Sequence, residues 1–196
     1  MRFFLATIVD LNTKAYVRDL VQKLTKYKRN FEFTANDLLH FNYKYLGKDL
    51  NDLTASQLGS SIADTIRKLH LVSFTYPLLK PSFGANSELN TDTLTMRLDP
   101  TKELNELYRL VQAITVEVQD DKLVRRKDHN RLLGVIKIGQ ITTNISSGDR
   151  DKVESIINQI VSIPTLTVDN LSIIGSELVR NKVKLKLIRR IDLKDD

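Results

Sequence analysis

The sequence predicts an α+β fold of two pseudo-symmetric lobes, each a small, mainly antiparallel sheet with helices on its outer face and a central cleft between the sheets. Three observations carry this expectation. Short runs of alternating apolar and polar residues have the period of half-buried strands. Between them, apolar residues recur every three or four positions, the spacing of a helix with one buried face. The order strand, helix, histidine-bearing strand, helix also occurs twice, with His40 about 37 positions beyond Phe3 and His129 about 35 beyond Leu94. This duplication is one of architecture and not of residues. The expected organisation is a single bilobal domain, 1–196. Lobe one covers about 1–80 and lobe two about 91–178, with strand 182–193 completing a sheet.

Taken in order, Phe3–Val9 is an apolar run interrupted by Asp10, which makes it a buried strand and too short for a signal peptide. Val17, Leu20, Val21 and Leu24 then repeat at helical spacing. His40 to Gly47 alternates, so an extended backbone puts His40, Asn42 and Lys44 on one face and Phe41, Tyr43 and Tyr45 on the other. Thr54-Ala55-Ser56-Gln57 has the form of a capping box opening a helix whose apolar face is Leu58, Ile62, Ile66 and Leu69. His70 closes that helix, where a cation is favoured by the dipole, and is read as structural. Leu71–Tyr76 reads as a strand and Pro77–Asn90 as a long connection rich in turn residues. Thr93–Leu98 alternates again, and Asp99-Pro100 fits the start of a helix carrying Leu104, Leu107, Tyr108, Val111 and Ile114. A strand through Ile138, a helix over about 149–161 stopped by Pro164, and two last strands, about 165–178 and 182–193, complete the reading.

Composition narrows the chemistry. The chain has no cysteine, which excludes disulfides, thiolate metal sites and cysteine nucleophiles. Its three histidines, His40, His70 and His129, are too far apart for a local metal motif, and no metal or other cofactor is expected. The net charge of +6 favours polyanionic partners such as RNA. No segment approaches the ~20 apolar residues of a membrane span. A monomer in a reduced, cytoplasmic setting, without membrane contact, is the expectation.

The residues Met1-Arg2-Phe3-Phe4-Leu5-Ala6, the run Leu39-His40-Phe41-Asn42-Tyr43-Lys44-Tyr45-Leu46-Gly47 and the tail Leu171-Ser172-Ile173-Ile174-Gly175-Ser176-Glu177-Leu178 together resemble the 2H phosphoesterase superfamily. That group contains 2′-5′ RNA ligases and 2′,3′-cyclic phosphodiesterases, and the resemblance covers nearly the whole chain. Its first motif is His-x-Thr/Ser, matched here except at Asn42. Its second can be laid on Arg125-Arg126-Lys127-Asp128-His129-Asn130-Arg131-Leu132, where Arg131 replaces the hydroxyl residue. A rival register sets Leu132 at the histidine position and Gly134 at the hydroxyl, which implies a dead site.

In the first register His129, Arg131 and Lys137 share a strand face, with Leu132, Ile136 and Ile138 on the other. The resemblance then implies metal-independent acid–base catalysis by His40 and His129 on an RNA or nucleotide bearing a cyclic or 2′-5′ phosphate. Asn42, Arg131, Lys44 and Lys137 would bind the phosphate. The alternative it leaves is an impaired 2H-like fold that binds RNA or nucleotide without turnover.

Overall fold

The computed structural model describes all residues except 49–51, 69, 87–90, 99–107, 110, 112–134, 144, 180–181 and 194–196. The expected helix over 104–114 therefore lies mostly outside the described residues, though Tyr108 and Val111 are buried. The first strand, β1 (Arg2–Ile8), leads into α1 (Leu11–Lys23). Asp10 caps α1: its Oδ1 accepts from the Thr13 N–H at 2.9 Å, and its Oδ2 accepts from the Thr167 N–H at 2.9 Å. A three-residue strand, β2 (Phe31–Phe33), precedes β3 (His40–Lys48). Helix α2 (Asp52–Lys68) starts two residues before Thr54, so the predicted capping residue lies in the first turn.

Strands β4 (Phe74–Pro77), β5 (Ser82–Asn86) and β6 (Thr91–Arg97) follow, so the Pro77–Asn90 stretch expected to be a connection contains a strand. Then come β7 (Val135–Ile141), α3 (Ser147–Asn158), β8 (Thr165–Val168), β9 (Asn170–Val179) and β10 (Lys182–Asp192). Ser146 caps α3, its Oγ accepting from the Asp149 N–H at 3.1 Å. The expected final strand over 165–178 is two strands, separated at Asp169.

The fold is α+β, as expected. Seven strands form one path in the order β10-β9-β1-β3-β7-β6-β5, with every described pairing antiparallel. β2 pairs with the remaining length of the β7 edge, while β4 and β8 form a separate ribbon. Where two sheets with a cleft between them were expected, the described strands of both halves form one continuous sheet, with one register pair described at the β3–β7 seam, Phe41 with Ile136. Residues 170–179, grouped by sequence with the second half, pair with β1 in the first.

One face of the sheet supplies Phe3, Leu5, Phe41, Leu94, Met96, Ile136, Ile138 and Ile173 to the main core. Val17 and Leu20 of α1, Ile62 and Ile66 of α2, and Val153 and Ile157 of α3 pack in the same cluster. Each such side chain contributes about 1.5–3 kcal/mol by leaving water. Ala6, Ile8 and Ile174 form a separate, smaller cluster. Alternation along β1 thus sends its side chains to two faces, one in the main core and one in this smaller cluster.

The end of β1 is held by a side chain. Asn170, fully buried, accepts from the Ile8 N–H at 3.0 Å and donates Nδ2 to the Ile8 carbonyl at 2.9 Å. Its Oδ1 also accepts from Ser172 Oγ at 2.9 Å. Asn170→Asp keeps the shape but sets a second acceptor against the Ile8 carbonyl. It should lower the unfolding free energy by about 3 kcal/mol, read from urea midpoints. An unchanged midpoint would mean that the clamp contributes nothing.

At the end of α2, the Leu71 N–H reaches the Ile66 carbonyl at 3.2 Å, and His70 adopts φ +49. This is the left-handed helix stop that glycine fills without strain. His70 stands at the end of the helix, as the sequence predicts, in a conformation that favours glycine. His70→Gly should raise the unfolding free energy by about 1 kcal/mol, measured the same way.

Candidate functional site

The histidine strand begins at the centre of the sheet. In β3, Phe41 and Tyr43 turn into the main core while His40 and Asn42 stay half-buried. Across β1 their partners are Ile8 and Ala6, which belong to the small cluster outside that core. The pairing then slips: Ala6 faces Asn42 but Leu5 faces Lys44, so Tyr43 is an extra residue in β3. Lys44 is thereby set against a core side chain and is buried. Strict alternation, which put Lys44 in line with His40 and Asn42, fails at this bulge. Its expected phosphate contact has no support from the geometry.

β7 completes the site from the other side. The antiparallel contact of Phe41 with Ile136 sets His40 beside Lys137 and Asn42 beside Val135. Ile136 and Ile138 are buried and Lys137 is not, as the sequence predicts. The structure thus brings together His40, Asn42 and Lys137. His129, Arg131 and Leu132 lie outside the described residues.

The hydrogen bonds define what each group can do. His40 Nδ1 lies 2.7 Å from the Leu38 carbonyl, which can only accept. The ring proton is therefore on Nδ1, and Nε2 carries the free lone pair. Burial lowers the His40 pKa; the Leu38 bond opposes this, and the positive charge of Lys137 adds to the lowering. The free protein thus holds a neutral imidazole at neutral pH.

Lys137 Nζ donates to Gln140 Oε1 at 2.7 Å, and Gln140 Nε2 donates to Glu32 Oε2 at 3.2 Å. Burial lowers the Lys137 pKa and the Glu32 carboxylate opposes it. This chain fixes the ammonium and leaves two of its N–H groups uncommitted in the relay. Sequence reading missed Gln140 and Glu32; their roles depend on the pairing of β2 with β7, which no local motif encodes.

Asn42 Oδ1 is buried and, among the described residues, has no hydrogen-bond partner. Such an atom costs about 1–3 kcal/mol unless something supplies a partner. Rotating the amide presents Nδ2 there instead, a donor suited to a phosphate oxygen. The neighbouring hydroxyls are already used: Thr93 Oγ1 donates to the Gly84 carbonyl at 3.2 Å and Thr95 Oγ1 to that of Ser82 at 3.5 Å.

A pocket of about 320 Å³ elsewhere, between α2 and β10, is lined by Arg67, His70, Arg189 and Arg190. Its arginines are engaged by Asp64, by Ser56 and Ser60, and by Asp169 and Asp192. Among the described residues, no group of three His, Asp or Glu side chains could hold a metal ion. Nor is any described helix long and apolar enough to cross a membrane.

No family model and no curated protein matches the sequence. Solved structures do match the fold over nearly its whole length. The crystal structure of TT0787 from Thermus thermophilus is 14% identical with a TM-score of 0.68, covering 100% of both chains. Apo LigT of E. coli is 14% identical with a TM-score of 0.60, covering 99% of this chain and 98% of that one. Usb1 of Kluyveromyces marxianus is 17% identical with a TM-score of 0.53, covering 94% of this chain and 96% of that one. LigT has also been crystallised with 3′-AMP and with phosphate. With these neighbours, the histidine strand at its centre and the resemblance in its motifs, the chain has the 2H phosphoesterase fold.

Proposed function

We propose that this protein binds a phosphate group of RNA or of a nucleotide on the sheet face opposite its main core, between His40, Asn42 and Lys137. The observation that carries this reading is the pairing of β3 with β7, which sets an oriented ammonium beside a neutral imidazole. An ammonium, an amide and an imidazole once protonated at Nε2 are the donor set that an anionic oxygen cluster needs. The net charge of +6 supports a polyanion, as do the complexes of LigT, which has the same fold, with 3′-AMP and phosphate.

The bound anion attracts a proton to His40, so the site gains positive charge as the ligand arrives. Two cations then face the phosphate, which favours a terminal phosphate, carrying about −1.5 to −2, over an internal diester carrying a single charge.

A 3′-phosphorylated single-stranded oligoribonucleotide should bind more tightly than the same strand ending in a hydroxyl, with affinity falling as salt rises. Lys137→Ala should weaken its binding about tenfold or more, as measured by fluorescence anisotropy. Equal affinity for the two strands, or for the two proteins, would refute the reading.

In ring-carbon NMR, His40 should titrate below the ordinary value of about 6.5 in the free protein and move upward on adding inorganic phosphate. A midpoint that ignores phosphate would count against the site.

Turnover of a 2′,3′-cyclic phosphate is the second reading, favoured by the free Nε2 lone pair of His40, which can accept the proton of an attacking water. It needs a second acid–base group, for which His129, with Arg131 beside it, is the candidate. Opening of a nucleoside 2′,3′-cyclic phosphate that is lost in both His40→Ala and His129→Ala would establish it.

A further inference from the structure

We infer that β7 carries the second half of the His40 site in altered form, with Val135 mirroring His40 and Lys137 mirroring Asn42, so that one imidazole and one ammonium flank the bound phosphate. The inference rests on the proposed reading of this face as a phosphate site and assigns the roles within it.

The argument is geometric. β3 and β7 are antiparallel, and their one described contact is Phe41 with Ile136. Two antiparallel strands are exchanged by a local twofold rotation through such a pair. That rotation carries Phe41 onto Ile136, His40 onto Val135 and Asn42 onto Lys137.

Three further observations fit it. Phe41 and Ile136 are both fully buried in the main core, whereas His40, Asn42, Val135 and Lys137 are all half-buried. The strand order is mirrored about the same contact, because β1 flanks β3 where β6 flanks β7, and β9 flanks β1 where β5 flanks β6. In sequence, too, β1 precedes β3 and α2 as β6 precedes β7 and α3.

The chemistry follows from the residue types. Valine neither takes nor gives a proton, so the β7 half offers no second imidazole at the mirrored place. Lys137 gives one N–H to Gln140 and keeps two for phosphate oxygens. His40 contributes Nε2. The β7 half anchors charge where its mirror image could exchange a proton.

Replacing Val135 restores the missing group and tests the assignment. In Val135→His, ring-carbon NMR should show the introduced imidazole and His40 titrating as a coupled pair, with one midpoint displaced by about one pH unit or more. Independent titration of the two rings would overturn the mirror relation. Val135→His combined with Lys137→Thr should open a nucleoside 2′,3′-cyclic phosphate about a hundredfold faster than the unaltered protein. If the unaltered protein already opens it and His129→Ala abolishes that, the second imidazole comes from elsewhere and the inference fails.

Lys137→Met gives a reading that does not require an altered Val135. Among the described residues, Lys137 is the charged group that acts on His40, and the flanking β1 residue, Ile8, is apolar. The His40 midpoint should rise when this charge is removed, and an unmoved midpoint overturns the placement of Lys137 beside it. Coupled titration in a protein that does not bind inorganic phosphate supports the mirror relation and overturns the proposed function alone.

Discussion

The contact of Phe41 with Ile136 is the constraint on which the remaining geometry depends. Both side chains are fully buried, and through them the strands of the two halves become one sheet. A slip of one residue on either strand would turn Phe41 or Ile136 to the opposite face and drive His40 or Lys137 under the helices. Exposing one such apolar side chain forfeits about 1.5–3 kcal/mol, and burying an unpaired ammonium costs more. The site is placed by packing, and its polar residues are where they are because their neighbours are not polar.

A chain of hydrogen bonds extends this control from β9 to the bulge. Thr7 Oγ1 donates to the Asn170 carbonyl at 2.7 Å, so its remaining capacity is to accept, and the Tyr43 hydroxyl at 2.8 Å donates to it. Tyr43 is the extra residue of β3, and burial pushes its phenol pKa well up, keeping the donor protonated. The clamp at Asn170 thereby fixes the residue after Asn42. Among the described residues the neighbouring Asn42 oxygen has no partner, a cost that the fold bears locally.

Much of the fold was legible in the sequence because its signals are local. The apolar run of β1, the helical spacing of α1 and α2, and the alternation from His40 to Tyr43 all report burial residue by residue. β2 escaped because three residues carry too little pattern, and β5 because its turn-forming residues, Gly84 and Asn86, resemble those of a loop. The bulge at Tyr43 escaped because alternation alone contains no register. Of the proposed site, His40, Asn42 and Lys137 were named from the sequence, while Val135 was not. A search guided by histidine looked to His129 and Leu132, and a valine at a mirrored place has no chemical signature until strand pairing reveals its partner.

A valine at the place mirroring His40 and an ammonium at the place mirroring Asn42 change what the proposed site can do over the neutral pH range. A second histidine near His40 would lose or gain its charge with small changes in environment, which is what proton transfer requires. Lys137 donates to Gln140; burial lowers its pKa and the Glu32 carboxylate opposes that. Burial first, and then this neighbouring charge, lowers the His40 pKa while the site is empty, because protonating the ring would add a second desolvated cation without an anion to balance it. An arriving phosphate removes this penalty, so ligand and proton bind together. Such coupling strengthens the hold on a multiply charged phosphate, yet it leaves the ring protonated in the complex and no longer free to act as a base. The arrangement that makes the face a better anion site therefore makes it a poorer catalyst, and the two follow from the same residue.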